Sequence, residues 1–198
     1  MSTCKAYVDQ LVETTAKYGK YAAEALKEFN AAQERLGLSA VIDLEKLVQP
    51  EFRRLAKHKL ADLEVIVEAY KNIYEKYIIS MNKELLAATA LLPEAERASE
   101  TESLAKKIQE QIDEQSRFYS TRARWIEAAY NLSTLVEINA DSIFVESGEL
   151  VCSDENALED ISFVLNVIDT CAQVDSEIIR TRVARITSGL GFFGAKFA

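Results

Sequence analysis

Histidine occurs once, proline twice and glycine six times in a chain of 198 residues, and each shortage removes a class of answers. The single imidazole, His58, excludes every site built from two or more histidines, including the paired Glu-x-x-His ligands of di-iron bundles. It also leaves at most one candidate base for a nucleophilic triad. So little glycine and proline cannot supply the turns of a β-sandwich or barrel. The longest uncharged run, Ile186 to Ala195, is ten residues, about half of what a membrane span needs. Lys5, Asp9 and Glu13 leave no apolar core for a secretory leader. Cys4, Cys152 and Cys171 are too widely spaced for a disulfide framework or a Cys-x-x-Cys metal pair. A reducing, cytoplasmic setting is the expectation.

What is present is ordinary in bulk and uneven in charge. Apolar residues at 48% and charged residues at 28% are near globular averages, and the length suits one domain or two small ones. The net charge of −9 falls on one side: residues 1–92 carry 13 basic and 13 acidic side chains, residues 93–198 carry 10 and 19. From Trp125 to Ile179 there is no Lys or Arg and there are twelve acids. Phosphate backbones are repelled by such a surface, so nucleic acid is not an expected partner.

Hydrophobic periodicity is helical almost throughout. From Cys4 to Leu36, with Ser2 or Thr3 as cap, the series Val8, Leu11, Thr15, Tyr18, Ala22, Ala25, Phe29, Ala32 and Leu36 follows spacings of three and four. Gly37 is placed to end that helix in a left-handed cap. Ser39 to Val48 reads as a short helix or connector capped by Ser39, and Pro50 suits the first turn of the next helix. No glycine or proline interrupts Pro50 to Leu92, where Phe52, Leu55, Leu63, Ile66, Tyr70, Ile73, Tyr77, Met81, Leu85 and Ala88 form the expected stripe. Pro93 to Glu102 reads as an acidic turn region that also favours a helix N-terminus. A third long helix is expected over Thr101 to Asn139, striped by Leu104, Ile108, Ile112, Tyr119, Ile126, Ala129 and Val136. Residues 141–152 break the pattern as a small hairpin or irregular insert. Ser153 then caps a fourth helix to about Ser188, with Leu158, Ile161, Val164, Leu165, Ile168, Cys171, Val174, Ile178 and Ile186 on its apolar side.

The expected fold is therefore all-α: an elongated antiparallel bundle of four principal helices with coiled-coil-like seams. Residues 1–188 form a single helical-bundle domain in this reading, and residues 189–198 an apolar Gly/Phe-rich tail.

Motifs that usually carry chemistry fail on context. Gly189-Leu190-Gly191-Phe192-Phe193-Gly194 spells G-x-G-x-x-G, but a dinucleotide fingerprint must join a strand to the N-terminus of a helix. Too few residues follow Gly194 to build one. His58 lacks the His-x-x-Lys-Gly pattern of phosphotransfer bundles, because Leu60-Ala61-Asp62 follow Lys59. Asp154, Glu155, Glu159 and Asp160 lack the alternating ligands and central glycine of a calcium loop and suit the start of a helix instead. No catalytic, cofactor or metal site is assigned, and the chain is not expected to be an enzyme.

Two segments stand out as candidate partner-binding surfaces. One is the basic stretch around Arg53, Arg54, Lys57 and Lys59, expected to contact part of Trp125–Ile179. The other is the tail, with Leu190, Phe192, Phe193 and Phe197. The leading functional expectation is a non-catalytic scaffold or adaptor that binds proteins, itself included, as a homo-oligomer. The alternative is a peripheral membrane module similar in outline to BAR domains, on the strength of long unkinked helices and the basic stretch.

Overall fold

The computed structural model describes the backbone of residues 3–146 and 149–197, and side chains over 4–144, 146, 151–181 and 184. About 90% is helical. Helix α1 covers Thr3–Leu36, α2 Leu44–Leu47, α3 Pro50–Ala88, α4 Glu94–Ile138 and α5 Glu155–Phe197. Short 3-10 turns occupy Leu38–Val41 and Thr89–Leu91, and strands β1 (Ile143–Glu146) and β2 (Glu149–Cys152) lie between α4 and α5. The all-α class with four long helices is what the periodicity predicts.

Local chemistry sets most boundaries. Gly37 takes φ 60°, and its N–H donates to the Glu34 carbonyl at 3.1 Å, closing α1 with the left-handed residue that only glycine adopts without cost. Asp43, not Ser39, caps α2 by accepting from the Lys46 N–H. The expected cap of α1 by Ser2 or Thr3 falls outside the described side chains.

Helix α4 starts at Glu94, seven residues before the expected Thr101. Leu92 is extended (φ −81°, ψ 153°), as a residue before proline prefers. Glu94 and Glu96 then occupy the first turn, where negative charge is favoured. Of the two readings of this stretch, acidic turn and helix N-terminus, the structure takes the second, and takes it earlier than Thr101.

Helix α5 continues through Gly189, Gly191 and Gly194 to Phe197 instead of stopping near Ser188. Each glycine costs about 1 kcal/mol relative to alanine but keeps its N–H, so it weakens a helix without breaking it as proline would. The side chains of Leu190, Phe192, Phe193 and Phe197 lie outside the described residues, as does the Ser147-Gly148 turn.

The chain divides into two compact units: residues 1–37 with 63–116, and 38–62 with 117–198. Helices α3 and α4 each supply a segment to both, so no proline, glycine or polar linker marks the division in the sequence.

In unit 1, α1 packs along Tyr7, Thr14, Tyr18, Ala25 and Phe29. The buried positions near its start are Tyr7 and Thr14, one residue before the expected Val8 and Thr15. Thr15 is exposed, its hydroxyl turned back to the Leu11 carbonyl at 2.7 Å. Aromatic contacts dominate here: Phe29 stacks on Tyr70 at 4.5 Å between ring centroids, and Tyr21 meets Tyr77 at 5.6 Å. Tyr7, Ala88 and Leu92 form a core cluster flanked by Val8 and Leu11.

In unit 2, Val41, Leu47, Ala56, Leu60, Ala129, Leu132 and Val136 are buried. The α3 stripe holds at Leu63, Tyr70, Leu85 and Ala88, which are buried, but its first turns, in unit 2, are rotated from the expected line. Ala56 and Leu60 are inside, while Phe52 and Leu55 are exposed, because the short α2 segment brings Arg53 inward. Strands β1 and β2 pair antiparallel with Ile143 opposite Cys152 and Phe144 opposite Val151. Ile143 is buried and Phe144 exposed, the alternation expected of a strand with one covered face.

Candidate interaction site

The basic stretch divides as soon as its helix is packed. Arg53 is only 7% exposed, and its Nη1 donates to the carbonyls of Leu47 at 2.8 Å and Val48 at 2.7 Å. It thereby satisfies groups that the end of α2 leaves open. Lys57 Nζ lies 2.6 Å from Glu137 Oε2 on α4, which is the expected contact between the basic stretch and Trp125–Ile179. Lys57 holds the Glu137 carboxyl below its ordinary range, with a smaller contribution from the Arg53 charge. Arg54 and His58 are exposed and Lys59 half-buried. Two of the four candidate cations thus have partners inside unit 2.

Two further polar clusters order the units from within. In unit 1, Glu84 accepts from Lys17 Nζ and from the Tyr18 hydroxyl, both at 2.8 Å, and the lysine and tyrosine together lower its pKa. Tyr7 donates its hydroxyl to Glu100 at 2.9 Å. Burial first, then that bond, raises the Tyr7 pKa well above the usual phenol range. In unit 2, Arg122 Nε lies 2.7 Å from Asp175 Oδ2 at a position the apolar reading of α5 passes over. Burial pushes the Cys171 thiol up, which makes it a packing residue rather than a nucleophile.

Helix α5 carries two parallel rows. The first is buried in unit 2: Ala157, Ile161, Val164, Ile168, Cys171, Asp175 and Ile178. The second, one residue further round, contains Leu158, Leu165, Ala172 and Ile179 at intervals of seven. Leu158 and Ile179 are each 50% exposed, and Ala172 is exposed. Beside Ala172 is a shallow open depression lined by Asp169, Ala172, Gln173, Ser176, Glu177 and Arg180. Leu158 and Leu165 were both expected on the core stripe. The sevenfold repeat is visible in the sequence, but nothing in a single strip of text says which of two adjacent rows a bundle covers.

Among the described residues, no three His, Cys, Asp or Glu side chains group as a metal ion would require, and no described helix is long and apolar enough to cross a membrane. Compared with protein-family models, curated proteins and solved structures, the chain matches none.

Proposed function

We propose that this protein is a non-catalytic helical scaffold or adaptor that binds other proteins and associates with itself through coiled-coil-like helix faces, working in the cytoplasm. The observation that carries the reading is the second row of α5, which repeats the spacing of a packed helix seam yet leaves Leu158 and Ile179 half exposed. Apolar side chains that recur every seven residues along one helix face are the pattern of a face that meets another helix. The three cysteines are all unpaired, in keeping with a reducing compartment.

Membrane-surface binding draws less support. Arg53 and Lys57 are engaged with Leu47, Val48 and Glu137, which leaves Arg54, His58 and Lys59 as the outward members of the basic stretch. Light scattering over a concentration series, with affinity capture from the native source, tests the scaffold reading. A strictly monomeric protein that captures no partner would overturn it. Cosedimentation with acidic liposomes that weakens with salt would favour the membrane reading instead.

A further inference from the structure

We infer that the second row of α5 is the self-association surface, packed antiparallel against the same row of a second copy of this chain. The inference rests on the self-association reading above and names its surface and geometry.

The row extends beyond its four apolar members. Leu158, Ser162, Leu165, Asp169, Ala172, Ser176 and Ile179 follow one another at spacings of four and three, with apolar side chains at four of the seven places of a seam that would face a neighbouring helix. The buried seam beginning at Ala157 runs beside it and is the side that unit 2 covers. From Leu158 to Ile179 the open seam runs roughly 32 Å at 1.5 Å per residue. Ser162, Asp169, Ala172 and Ser176 are exposed along it and Leu165 is half-buried.

Four of the residues lining the depression, Asp169, Ala172, Gln173 and Ser176, stand in the i, i+3, i+4, i+7 relation. Four residues so arranged form the hole that receives one knob from a facing helix. The first half of the seam is large (Leu158, Leu165) and the second half mostly small (Ala172, Ser176). With Leu158 opposite Ile179, an antiparallel copy also sets Leu165 against Ala172, whereas a parallel copy sets leucine on leucine and leaves a gap at the alanines.

Charge selects the same orientation. Asp154, Glu155, Glu159 and Asp160 are exposed at the start of α5, and the first cation along it is Arg180. Antiparallel pairing brings Arg180 of one copy towards the acidic end of the other and opposes the two helix dipoles. Parallel pairing would set acids on acids. The midpoint between Leu158 and Ile179 falls between residues 168 and 169, so the two copies of Asp169 meet near the symmetry axis. That pair is the one repulsive feature of the seam.

The test uses the full chain with Cys4→Ser and Cys152→Ser, examined by light scattering over a concentration series. The unaltered seam should give a dimer. Ala172→Glu, at an exposed position where the helicity read by circular dichroism should be unchanged, should raise the dissociation constant at least tenfold, and Asp169→Asn should lower it. Phe163→Glu, on another face of α5 and 68% exposed, should leave it unchanged. In oxidising conditions Asp169→Cys should cross-link to its own copy and Leu158→Cys should not; cross-linking at both positions would mean a parallel pair and overturn the geometry. A dimer insensitive to Ala172→Glu but broken by Phe163→Glu would overturn this surface while leaving self-association standing. A chain monomeric at every concentration would overturn both.

Discussion

Arg122 and Asp175 face each other inside unit 2, Nε to Oδ2 at 2.7 Å, and so tie α4 to α5 through a pair of charges withdrawn from water. Asp175 is 6% exposed and occupies a seam position between Cys171 and Ile178. Removing one member of such a pair strands the other. Asp175→Asn should lower unfolding stability by about 3 kcal/mol, measured by urea denaturation. The double change Arg122→Met with Asp175→Leu should recover most of that loss, since well-packed apolar residues can replace a buried ion pair at little cost.

Arg53 and Arg54 are neighbours in sequence and should behave as opposites. Arg53→Met leaves the Leu47 and Val48 carbonyls without their donor and should cost about 2–3 kcal/mol. Arg54→Gln, on the exposed side, should stay within about 0.5 kcal/mol. Thermal unfolding of the two variants beside the parent measures the contrast.

Acid should weaken unit 1 and unit 2 through identifiable carboxylates. Glu84 and Glu137 both have folded pKa values below their ordinary ones, each through a lysine partner first. A carboxylate depressed on folding contributes stability above its unfolded value, about pH 4.3, and that contribution is lost as pH falls through the folded value. The melting temperature should therefore drop below about pH 4.5. Glu137→Gln should show a shallower drop than the parent across the same window.

The Tyr7 hydroxyl acts at the opposite end of the scale. Its folded pKa is raised, chiefly by burial, so the folded state holds the proton more tightly than the unfolded chain. Stability is fully present below the ordinary phenol value of about 10 and falls as pH rises above it. Tyr7→Phe should cost about 1 kcal/mol at neutral pH through loss of the Glu100 bond. It should also flatten the alkaline limb of a stability-against-pH curve.

Class, helix order and several boundaries were legible because they depend on neighbours in the chain. Scarce glycine and proline, spacings of three and four, Gly37 after α1 and Pro50 at the start of α3 each act within a turn or two of backbone. The hairpin was legible for the same reason, as β-branched and aromatic residues flanking Ser147-Gly148. The start of α4 was placed late because Glu94 and Glu96 serve equally well in a turn and in a helical first turn. Only the continuation of hydrogen bonding behind Pro93 separates the two.

What the sequence could not decide is which of several adjacent rows meets another helix. A row at spacings of three and four predicts a packed face but leaves about one residue of rotation free, a turn of roughly 100°. Tertiary packing made that choice: it buried Tyr7 over Val8 and Ala56 over Leu55, and it placed Asp175 in a seam because Arg122 arrives opposite it. The basic stretch shows the same division. Its composition was plain from the text, but whether a cation binds a backbone carbonyl, a carboxylate or solvent depends on residues brought near by folding. Periodicity is a property of the chain alone, whereas burial is a property of what the chain is packed against.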